Sequence, residues 1–392
     1  MRRDFYRQLE NEIDALKEKG TYKQFKYNTG VLSGKVKVEG FGEEIMLCSN
    51  NYLGLANNPE IINAAHEALT AYGAGTSSVR FICGTYDIHR NLETRIAKFL
   101  NMDASLTYSS CWAANTACIP ALLSDGDAVI SDELNHASII DGCRAVSKGV
   151  TRAVYKHSNM KSLEEKLIET SDCGAVLVVS DGVFSMEGDI AKLPEIIALC
   201  QKYNALLMID DSHATGVTGK TGRGTMEYYD VKEGVDIISG TFGKALGGAG
   251  GGFVAASESI CSMLAQRSRP HLFSNCLPPV LCAIALAAVE YLDKNPHIVR
   301  SLTEKTIYMR RKIKLLGLNP LEGDSAIIPI IIGDTAKAIA ISEKMMKDGV
   351  FTIGFGFPVV PEGTARIRLQ ISDALSYEDL DKALDVIKSA FT

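Results

Sequence analysis

The chain has little of several features that would assign a protein to a class at once. It holds 1 tryptophan in 392 residues, and 41 Lys and Arg against 47 Asp and Glu give a formal charge of −6. General nucleic-acid binding depends on neutralising phosphates, so a chain without excess positive charge is a poor candidate for it. The longest uninterrupted apolar run, Val280 to Val289, is too short to cross a bilayer. We therefore expect neither a nucleic-acid partner nor a membrane anchor.

The 10 cysteines form no recognisable metal or redox motif. They lie between Cys48 and Cys282 without any CxxC pair, so the sequence predicts no zinc ribbon, no thioredoxin-like site and no metal site. Cys143, Cys200 and Cys261 lie in apolar stretches, which is typical of reduced core cysteines. The first residues carry charges throughout and lack the apolar segment of a secretory signal, so we expect a cytoplasmic protein.

The order of the predicted elements indicates an α/β fold with a second, smaller part. At about 100–200 residues per domain, the length predicts two or three domains. Residues 1–45 are predicted to form an N-terminal helix, with apolar positions at helical spacing, and an arm. That helix is too polar to fold alone and is expected to dock on the body of the protein or on a partner subunit. A large domain is predicted over 46–290, and a C-terminal α+β domain over 291–392.

Short runs rich in Val and Ile alternate with helical patterns in the large domain, as in a mostly parallel sheet covered by helices on both faces. Strands are predicted at 128–131, 175–180, 205–209, 236–241 and 252–256, with crossover helices at 163–170 and 193–203. The pattern after 290 predicts a helix at 298–316, a strand at 326–332, a helix at 336–347, a strand at 365–371 and a helix at 377–390.

Two glycine-rich segments resemble nucleotide-binding loops without their structural context. Residues 214–221 are similar to a loose Walker A motif, but Gly222 and Gly224 interrupt the helix that should hold the phosphates. The glycine run 247–252 leads into a predicted strand, whereas a dinucleotide-binding fingerprint leaves one. Neither segment is therefore predicted to bind a nucleotide.

Polar residues follow three predicted strands where each strand ends: residues 181–186, 210–213 and 240–244. In open α/β sheets, ligands bind outside the carboxyl ends of the strands. Taken singly, an Asp there is most often a turn or cap residue, a Lys in a glycine-rich loop is usually solvated, and a His can lie on the surface. Together, Lys244, Asp210 and His213 are typical of a pyridoxal phosphate site. There the lysine amine binds the cofactor covalently and the carboxylate keeps its pyridine nitrogen protonated.

The chain resembles the α-oxoamine synthases over essentially its whole length. The resemblance rests on motifs at 48–55, 135–139, 210–214, 241–244 and 366–368. It implies the type I aminotransferase fold, in which a large domain with a central mostly parallel sheet between helices precedes a smaller α+β domain. It also implies a homodimer with a shared active site, and a reaction that joins an acyl-CoA to a small amino acid. Segments 79–85, 135–142 and 267–270 are most similar to members that use glycine and acetyl-CoA.

The resemblance also implies roles for individual residues. Lys244 matches the lysine that binds pyridoxal 5'-phosphate covalently, Asp210 the partner of the pyridine nitrogen, and His136 the histidine that stacks on the ring and takes part in catalysis. The remaining implied cofactor residues are His213 and Ser185 near the phenolic oxygen, and Ser110, Cys111, Trp112, Thr241 and, from the neighbouring subunit, Ser274 and Asn275 around the phosphate. His136 alone could equally be a capping residue.

Arg368 matches the arginine that holds the amino-acid carboxylate, with Asn50 as its helper, because a guanidinium fits a carboxylate with two parallel hydrogen bonds. A surface salt bridge is the other interpretation of Arg368. The chain departs from its most similar relatives at Ala113 and Leu375, which leaves alanine and a longer acyl-CoA open as substrates. A regulatory protein without catalysis is a further alternative, which the intact motifs oppose.

Overall fold

The computed structural model describes residues 2–392. Its helices are α1 (Arg2–Glu18), α2 (Pro59–Tyr72), α3 (Asp87–Leu100), α4 (Cys111–Leu122), α5 (Ala137–Arg144), α6 (Met160–Glu169), α7 (Leu193–Lys202), α8 (Thr225–Tyr228), α9 (Glu258–Arg267), α10 (Arg269–Phe273), α11 (Pro279–Lys294), α12 (His297–Leu315), α13 (Thr335–Lys347) and α14 (Tyr377–Phe391). Its strands are β1 (Lys35–Val38), β2 (Gly42–Met46), β3 (Ala104–Tyr108), β4 (Ala128–Asp132), β5 (Thr151–Tyr155), β6 (Val176–Asp181), β7 (Leu206–Asp210), β8 (Ile237–Thr241), β9 (Gly252–Ala256), β10 (Ile327–Gly333), β11 (Val350–Phe351), β12 (Gly354–Phe355) and β13 (Ala365–Gln370).

The chain divides into two compact units, and the larger one holds residues 50–185 and 189–303. Its sheet has seven strands in the order β3-β9-β8-β7-β6-β4-β5. Strands β4 to β8 pair parallel with one another, which confirms the predicted mostly parallel sheet. Every residue of β4, β6 and β9 is buried, as expected for strands covered on both faces.

Strand β9 is an exception within the mostly parallel sheet. It pairs antiparallel with both β3 and β8. The chain runs from β8 to β9 through residues 242–251 without an α-helix. Antiparallel neighbours can be joined by such a short connection, whereas parallel ones need a crossover of a dozen or more residues.

The sequence analysis predicted none of six short or edge strands: β1, β2, β3, β5, β11 and β12. Strand β5 is at the edge of the large sheet and exposes most of its residues, including Val154, so it lacks a long apolar run. Strand β3 carries polar residues at two of its five positions. Strands β1 and β2 form a short antiparallel pair whose sequence is rich in charge. Edge and mixed strands give a weaker pattern than central ones because one face or one edge remains in water.

The predicted elements after residue 290 are confirmed as α12, β10, α13, β13 and α14, within a few residues at each end. The apolar run 280–289 lies in α11, which begins at Pro279 and buries much of this run. A proline suits the first position of a helix because its missing N–H would have no partner there. Residues 214–224 form turns, and the next helix begins only at Thr225, as the glycines predict.

The smaller unit combines the described chain up to Ser49 with residues 186–188 and 304–392. It contains two three-stranded sheets, β1-β2-β11 and β10-β13-β12. The N-terminal segment therefore shares a sheet with β11, which lies about 300 residues later in the chain. The predicted limits at 45 and 290 remain predictions about independently folding domains, because a compact unit in the folded chain does not test which segments fold alone.

Helix α1 has no buried residue, and its apolar side chains are exposed at helical spacing: Phe5, Leu9, Ile13 and Leu16. The predicted docking of this helix on the rest of the chain is therefore not seen, and docking on a partner subunit stays a prediction. Across residues 2–392, the helices are all too short or too polar to cross a membrane.

Candidate active site

Three neighbouring parallel strands of the larger unit end at the same edge of the sheet, and each ends in a polar residue. Strand β6 ends at Asp181, β7 at Asp210 and β8 at Thr241. Asp181 is paired with Asp210, and Asp210 with Ser239. The segments that follow these strands therefore begin side by side, which confirms the predicted convergence of the three strand ends.

A cavity of about 210 Å³ lies at this edge. Nine of the cofactor residues implied by the resemblance line it: Ser110, Cys111, Trp112, His136, Ser185, Asp210, His213, Thr241 and Lys244. Three further residues line it without having been predicted: Ser138, Asp181 and Ser212. Ser274 and Asn275 are not among the lining residues; both are exposed, directly after α10.

The carboxylate of Asp210 is buried and receives a hydrogen bond on each oxygen. The backbone N–H of Ser212 donates to Oδ1 at 2.9 Å, and the side-chain amide of Asn115 donates to Oδ2 at 2.6 Å. The thiol of Cys111 lies 3.8 Å from Oδ2. Both carboxylate oxygens of Asp210 are therefore fixed by donors at the wall of the cavity.

The adjacent Asp211 has a different set of partners. Its side chain accepts hydrogen bonds from the backbone N–H and the hydroxyl of Thr225, at 2.8 and 2.5 Å. It is buried and does not line the cavity, and burial raises its pKa to about 6. Asp211 therefore has the turn-stabilising role that the sequence allowed for either residue, whereas Asp210 faces the cavity.

His213 is held by a buried tyrosine. Its Nδ1 atom lies 2.8 Å from the hydroxyl of Tyr52, which is fully buried. This contact fixes the position of the imidazole at the cavity wall.

His136 is fixed by contacts on its backbone and on its ring. Its backbone N–H donates to Asp181 at 2.8 Å, and its Nδ1 atom contacts the hydroxyl of Ser138 at 2.7 Å and accepts from the Ser138 backbone N–H at 3.2 Å. The ring meets Trp112 edge to face, with centroids 5.9 Å apart. Burial lowers the pKa of His136 and so favours its neutral imidazole. The capping interpretation is thus correct as well, because the side chain caps α5 while the residue lines the cavity.

One end of the cavity is formed by the N-terminus of the 12-residue helix α4. The hydroxyl of Ser110 caps this helix by accepting from Ala113 N–H at 3.0 Å. Thr241 also lines the cavity and donates its hydroxyl to the carbonyl of Gly251 at 3.1 Å. Backbone N–H groups and the helix dipole make such an N-terminus suitable for a phosphate.

Gly252 is required for the approach of its strand to this helix start. A Cβ atom at this position would lie 2.3 Å from the backbone nitrogen of Cys111. Any larger residue would displace the first turn of α4.

Sequence reasoning missed five residues that shape the site: Asn115, Ser138, Asp181, Ser212 and Tyr52. Asp181 and Ser212 lie in strand-end segments that it had already singled out, so the position of a polar residue at the carboxyl end of a strand could have identified them. Asn115 is a polar residue in an otherwise small and apolar helix segment, which is a weaker signal. Tyr52 and Ser138 lie within motifs that carried the resemblance, but nothing in the pattern showed their partners.

In the smaller unit, Arg366 and Arg368 are buried neighbours on one face of β13. Arg366 donates to the carbonyl of Met186 and to the carboxylate of Glu187, each at 2.9 Å. Arg368 donates to the side-chain oxygen of Gln370 at 2.9 Å, and its guanidinium lies 4.6 Å from the ring centroid of Phe355. Both arginines are buried, so the surface salt bridge considered for Arg368 was wrong.

A comparison with protein families now identifies the fold. The family model for aminotransferase class I and II matches residues 43–387. The chain belongs to this family. Relatives of the predicted kind match this chain over nearly its full length. This confirms both the resemblance to the α-oxoamine synthases and the prediction of a transferase.

Among these relatives, the 2-amino-3-ketobutyrate coenzyme A ligase of Salmonella typhimurium is 44% identical to this chain, and the match covers 98% of this chain and 97% of the relative. The mitochondrial enzyme of the same name from Bos taurus is 46% identical, covering 96% and 90%. An 8-amino-7-oxononanoate synthase of Thermoanaerobacter pseudethanolicus is 42% identical, covering 96% and 94%.

Solved structures agree with the family assignment. SPT determined with a PLP internal aldimine has a TM-score of 0.93 and 28% identity, covering 99% of this chain and 97% of its own. Serine palmitoyltransferase of Sphingomonas wittichii has a TM-score of 0.92 and 29% identity, covering 98% and 96%. The predicted type I fold and the predicted cofactor, pyridoxal 5'-phosphate, are confirmed for this chain as a family member.

The residues of the cavity fit this cofactor. A primary amine, a buried carboxylate with both oxygens held by donors, two fixed imidazoles and a helix N-terminus line the same 210 Å³. The amine suits the aldehyde of the cofactor, the carboxylate its pyridine nitrogen, and the helix N-terminus its phosphate. One imidazole suits the phenolic oxygen, and the other remains for the ring face or the substrate.

Proposed function

We propose that the protein joins glycine to the acetyl group of acetyl-CoA, forming 2-amino-3-oxobutyrate and free CoA, and that it also catalyses the reverse, CoA-dependent cleavage. The observation that carries this proposal is the single cavity that brings Lys244 together with Asp210, His136 and His213. Support for the substrates comes from several relatives named 2-amino-3-ketobutyrate coenzyme A ligase at 43–46% identity.

Lys244 would hold the cofactor covalently through its amine, and the same amine would take the proton that glycine loses from its Cα atom. The carboxylate of Asp210 would hold a proton at the pyridine nitrogen. Pyridoxal phosphate supplies the electron sink that stabilises the resulting negative charge on carbon. The Cα atom then forms a bond to the acetyl carbon, and the thioester C–S bond breaks with release of CoA.

The other lining residues are proposed to hold the cofactor and orient the reacting groups. His136 would contact the face of the ring and donate a hydrogen bond to the acyl oxygen, while His213 and Ser185 would hold the phenolic oxygen. Residues around the phosphate are proposed to be Ser110, Cys111, Trp112 and Thr241, with Ser274 of the partner subunit and Asn275 of the partner subunit. This arrangement requires the homodimer that the resemblance implies.

Arg368 is proposed to bind the carboxylate of the amino acid, and Asn50 to assist it. The burial of Arg368 and the ring of Phe355 beside it support a fixed guanidinium, which a bidentate contact with a carboxylate needs. A role in threonine breakdown and a cytoplasmic location also remain predictions from the sequence.

A second candidate is 8-amino-7-oxononanoate synthesis from alanine and pimeloyl-CoA. It is favoured by Ala113, in the first turn of α4, and by a relative of that name at 42% identity. An apolar pocket discriminates weakly against one added methyl group, by about 10–200-fold, so the choice between the candidates must be measured.

The deciding experiment measures CoA release by the purified, cofactor-loaded protein with each pair of substrates. We expect glycine with acetyl-CoA to react faster by at least two orders of magnitude than alanine with pimeloyl-CoA. A preference for the second pair would replace the first candidate by the second. If Lys244→Ala left the rate unchanged with both pairs, neither candidate would hold.

A further inference from the structure

A buried amide connects two residues that line the cavity, Asp210 and Ser138. Asn115 lies in α4 and is fully buried. Its two N–H groups serve different partners, since Nδ2 is 2.6 Å from Oδ2 of Asp210 and 3.0 Å from Oγ of Ser138. A side-chain amide has two N–H donors at that nitrogen, so both contacts can form at once.

The hydrogen bonds continue from Ser138 to His136. The oxygen of Ser138 accepts from Asn115, which leaves its own proton free to donate to Nδ1 of His136 at 2.7 Å. The backbone N–H of Ser138 also donates to Nδ1, at 3.2 Å. A ring nitrogen that accepts two such bonds does not carry a proton, so in the neutral ring the proton lies on Nε2.

The position of Asn115 is not explained by stability alone. Its neighbours in α4 are small or apolar, including Ala114, Ala117 and Cys118, all buried. Its Oδ1 atom is buried and receives no hydrogen bond from residues 2–392. A buried acceptor without a donor is unfavourable, and an apolar residue of similar size would avoid it. What the amide does provide is a donor to each of two cavity residues.

We propose that Asn115 is a positioning residue that holds the Asp210 carboxylate directly and, through Ser138, fixes the His136 ring with its proton on Nε2. This inference rests on the proposed function, in which Asp210 acts on the cofactor and His136 on the acyl oxygen. The carboxylate of Asp210 is held in a fixed position, where it would meet the pyridine nitrogen. His136 presents an N–H donor instead of a second acceptor, as a hydrogen bond to the acyl oxygen requires.

The test compares Asn115→Ala and Ser138→Ala with the wild-type holoenzyme. Thr116→Ala is the matched control, because it lies next in the same helix and its hydroxyl contacts only carbonyls of that helix. The first readout is the pair of ring ¹⁵N resonances of His136, assigned with the His136→Asn variant. The second is the pH midpoint of the visible absorbance of the bound cofactor. Neither readout uses an acyl donor.

We expect Nδ1 of His136 to be unprotonated and Nε2 protonated in the wild type and in Thr116→Ala. Ser138→Ala should disturb the His136 resonances and leave the cofactor midpoint nearly unchanged. Asn115→Ala should change both, and should lower kcat/KM on the order of 10²-fold through misplacement of the two groups. Wild-type resonances for His136 in Asn115→Ala, or a wild-type tautomer with the proton on Nδ1, would overturn the proposal.

If Asn115→Ala does not fold, Asn115→Asp keeps the size of the side chain and tests the same contact. It places a second carboxyl group beside that of Asp210, and two carboxylates at hydrogen-bond distance do not both ionise. The cofactor midpoint should therefore shift; an unchanged midpoint and an unchanged His136 tautomer would contradict the proposal. Failure of the proposed function would be distinguishable, because it would leave these signals as expected while glycine and acetyl-CoA failed to react.

Discussion

The Nδ1 atom of His213 lies 2.8 Å from the hydroxyl oxygen of Tyr52, although 161 positions separate the two residues. Tyr52 is fully buried and His213 lines the cavity. Because Tyr52 is fully buried, its hydroxyl fixes the position of the His213 imidazole at the cavity wall.

Replacing Tyr52 by phenylalanine should remove this support with little change in shape. We expect Tyr52→Phe to lower stability by about 1 kcal/mol, the net contribution of a buried hydrogen bond. It should also shift the visible absorbance of the bound cofactor, because His213 is proposed to contact the phenolic oxygen.

Tyr108→Phe is the control, since its hydroxyl contacts Ser268 at 3.1 Å and does not line the cavity. It should cost similar stability in urea unfolding without changing the cofactor spectrum. Equal spectral changes in both variants would contradict the role of Tyr52.

The same substitution should affect mainly the rate at Asp210 and mainly the stability at Asp211. Asp211→Asn replaces one acceptor facing Thr225 by a donor, so we expect a loss of about 1–3 kcal/mol of stability, typical of a broken buried hydrogen bond. Asp210→Asn removes the negative charge from the cavity, and we expect kcat to fall by about 10² or more. Thermal unfolding and steady-state rates measured on both variants check this. A larger loss of rate in Asp211→Asn than in Asp210→Asn would reverse the assignment of the two residues.

His271 should make the protein less stable in acid. It is buried against Tyr108, with ring centroids 5.7 Å apart, and burial, with the nearby charge of Arg80, lowers its pKa from 6.5 to about 4. Between pH 6.5 and 4, His271 is therefore protonated in the unfolded chain and neutral in the folded protein. The stability is fully present above pH 6.5 and is lost as the pH falls towards 4.

The His271→Phe variant should remove this dependence. We expect the difference in urea midpoint between the variant and the wild type to grow in favour of the variant as the pH falls from 7 to 4.5. A constant difference over this range would show that His271 is not buried in its neutral form.

His157 should have the opposite dependence on pH. Its Nδ1 lies 3.0 Å from Oδ1 of Asp132 and its Nε2 3.1 Å from Oδ2 of Asp189. Burial opposes its charge, but the two hydrogen-bonded carboxylates outweigh burial and raise its pKa from 6.5 to about 10. This contribution to stability is fully present below pH 6.5 and is lost as the pH rises towards 10.

The His157→Gln variant should therefore be most destabilised, relative to the wild type, at pH 6. The difference in unfolding free energy should shrink as the pH rises to 9.5, and urea unfolding at a series of pH values measures it. A difference that increased with pH would rule out a charged His157.

The larger sheet was predictable where a strand is central. Strands β6, β7 and β8 read as apolar runs because both of their faces are buried, and their polar ends mark the cavity. The edge strand β5 was not predictable in this way, because its exposed residues leave no apolar run.

The sequence by itself predicted the central strands, the elements after residue 290 and the convergence of the three strand ends, because such apolar runs and their polar ends are local properties. The family resemblance supplied nine of the residues that line the cavity. Only the tertiary structure decided that β9 runs antiparallel, that Asp211 binds Thr225, and that Asn115 joins Asp210 to Ser138. Asn115 and Asp210 are 95 positions apart. Which partner a side chain meets over such a separation depends on how helices and strands pack, and no local pattern contains that information.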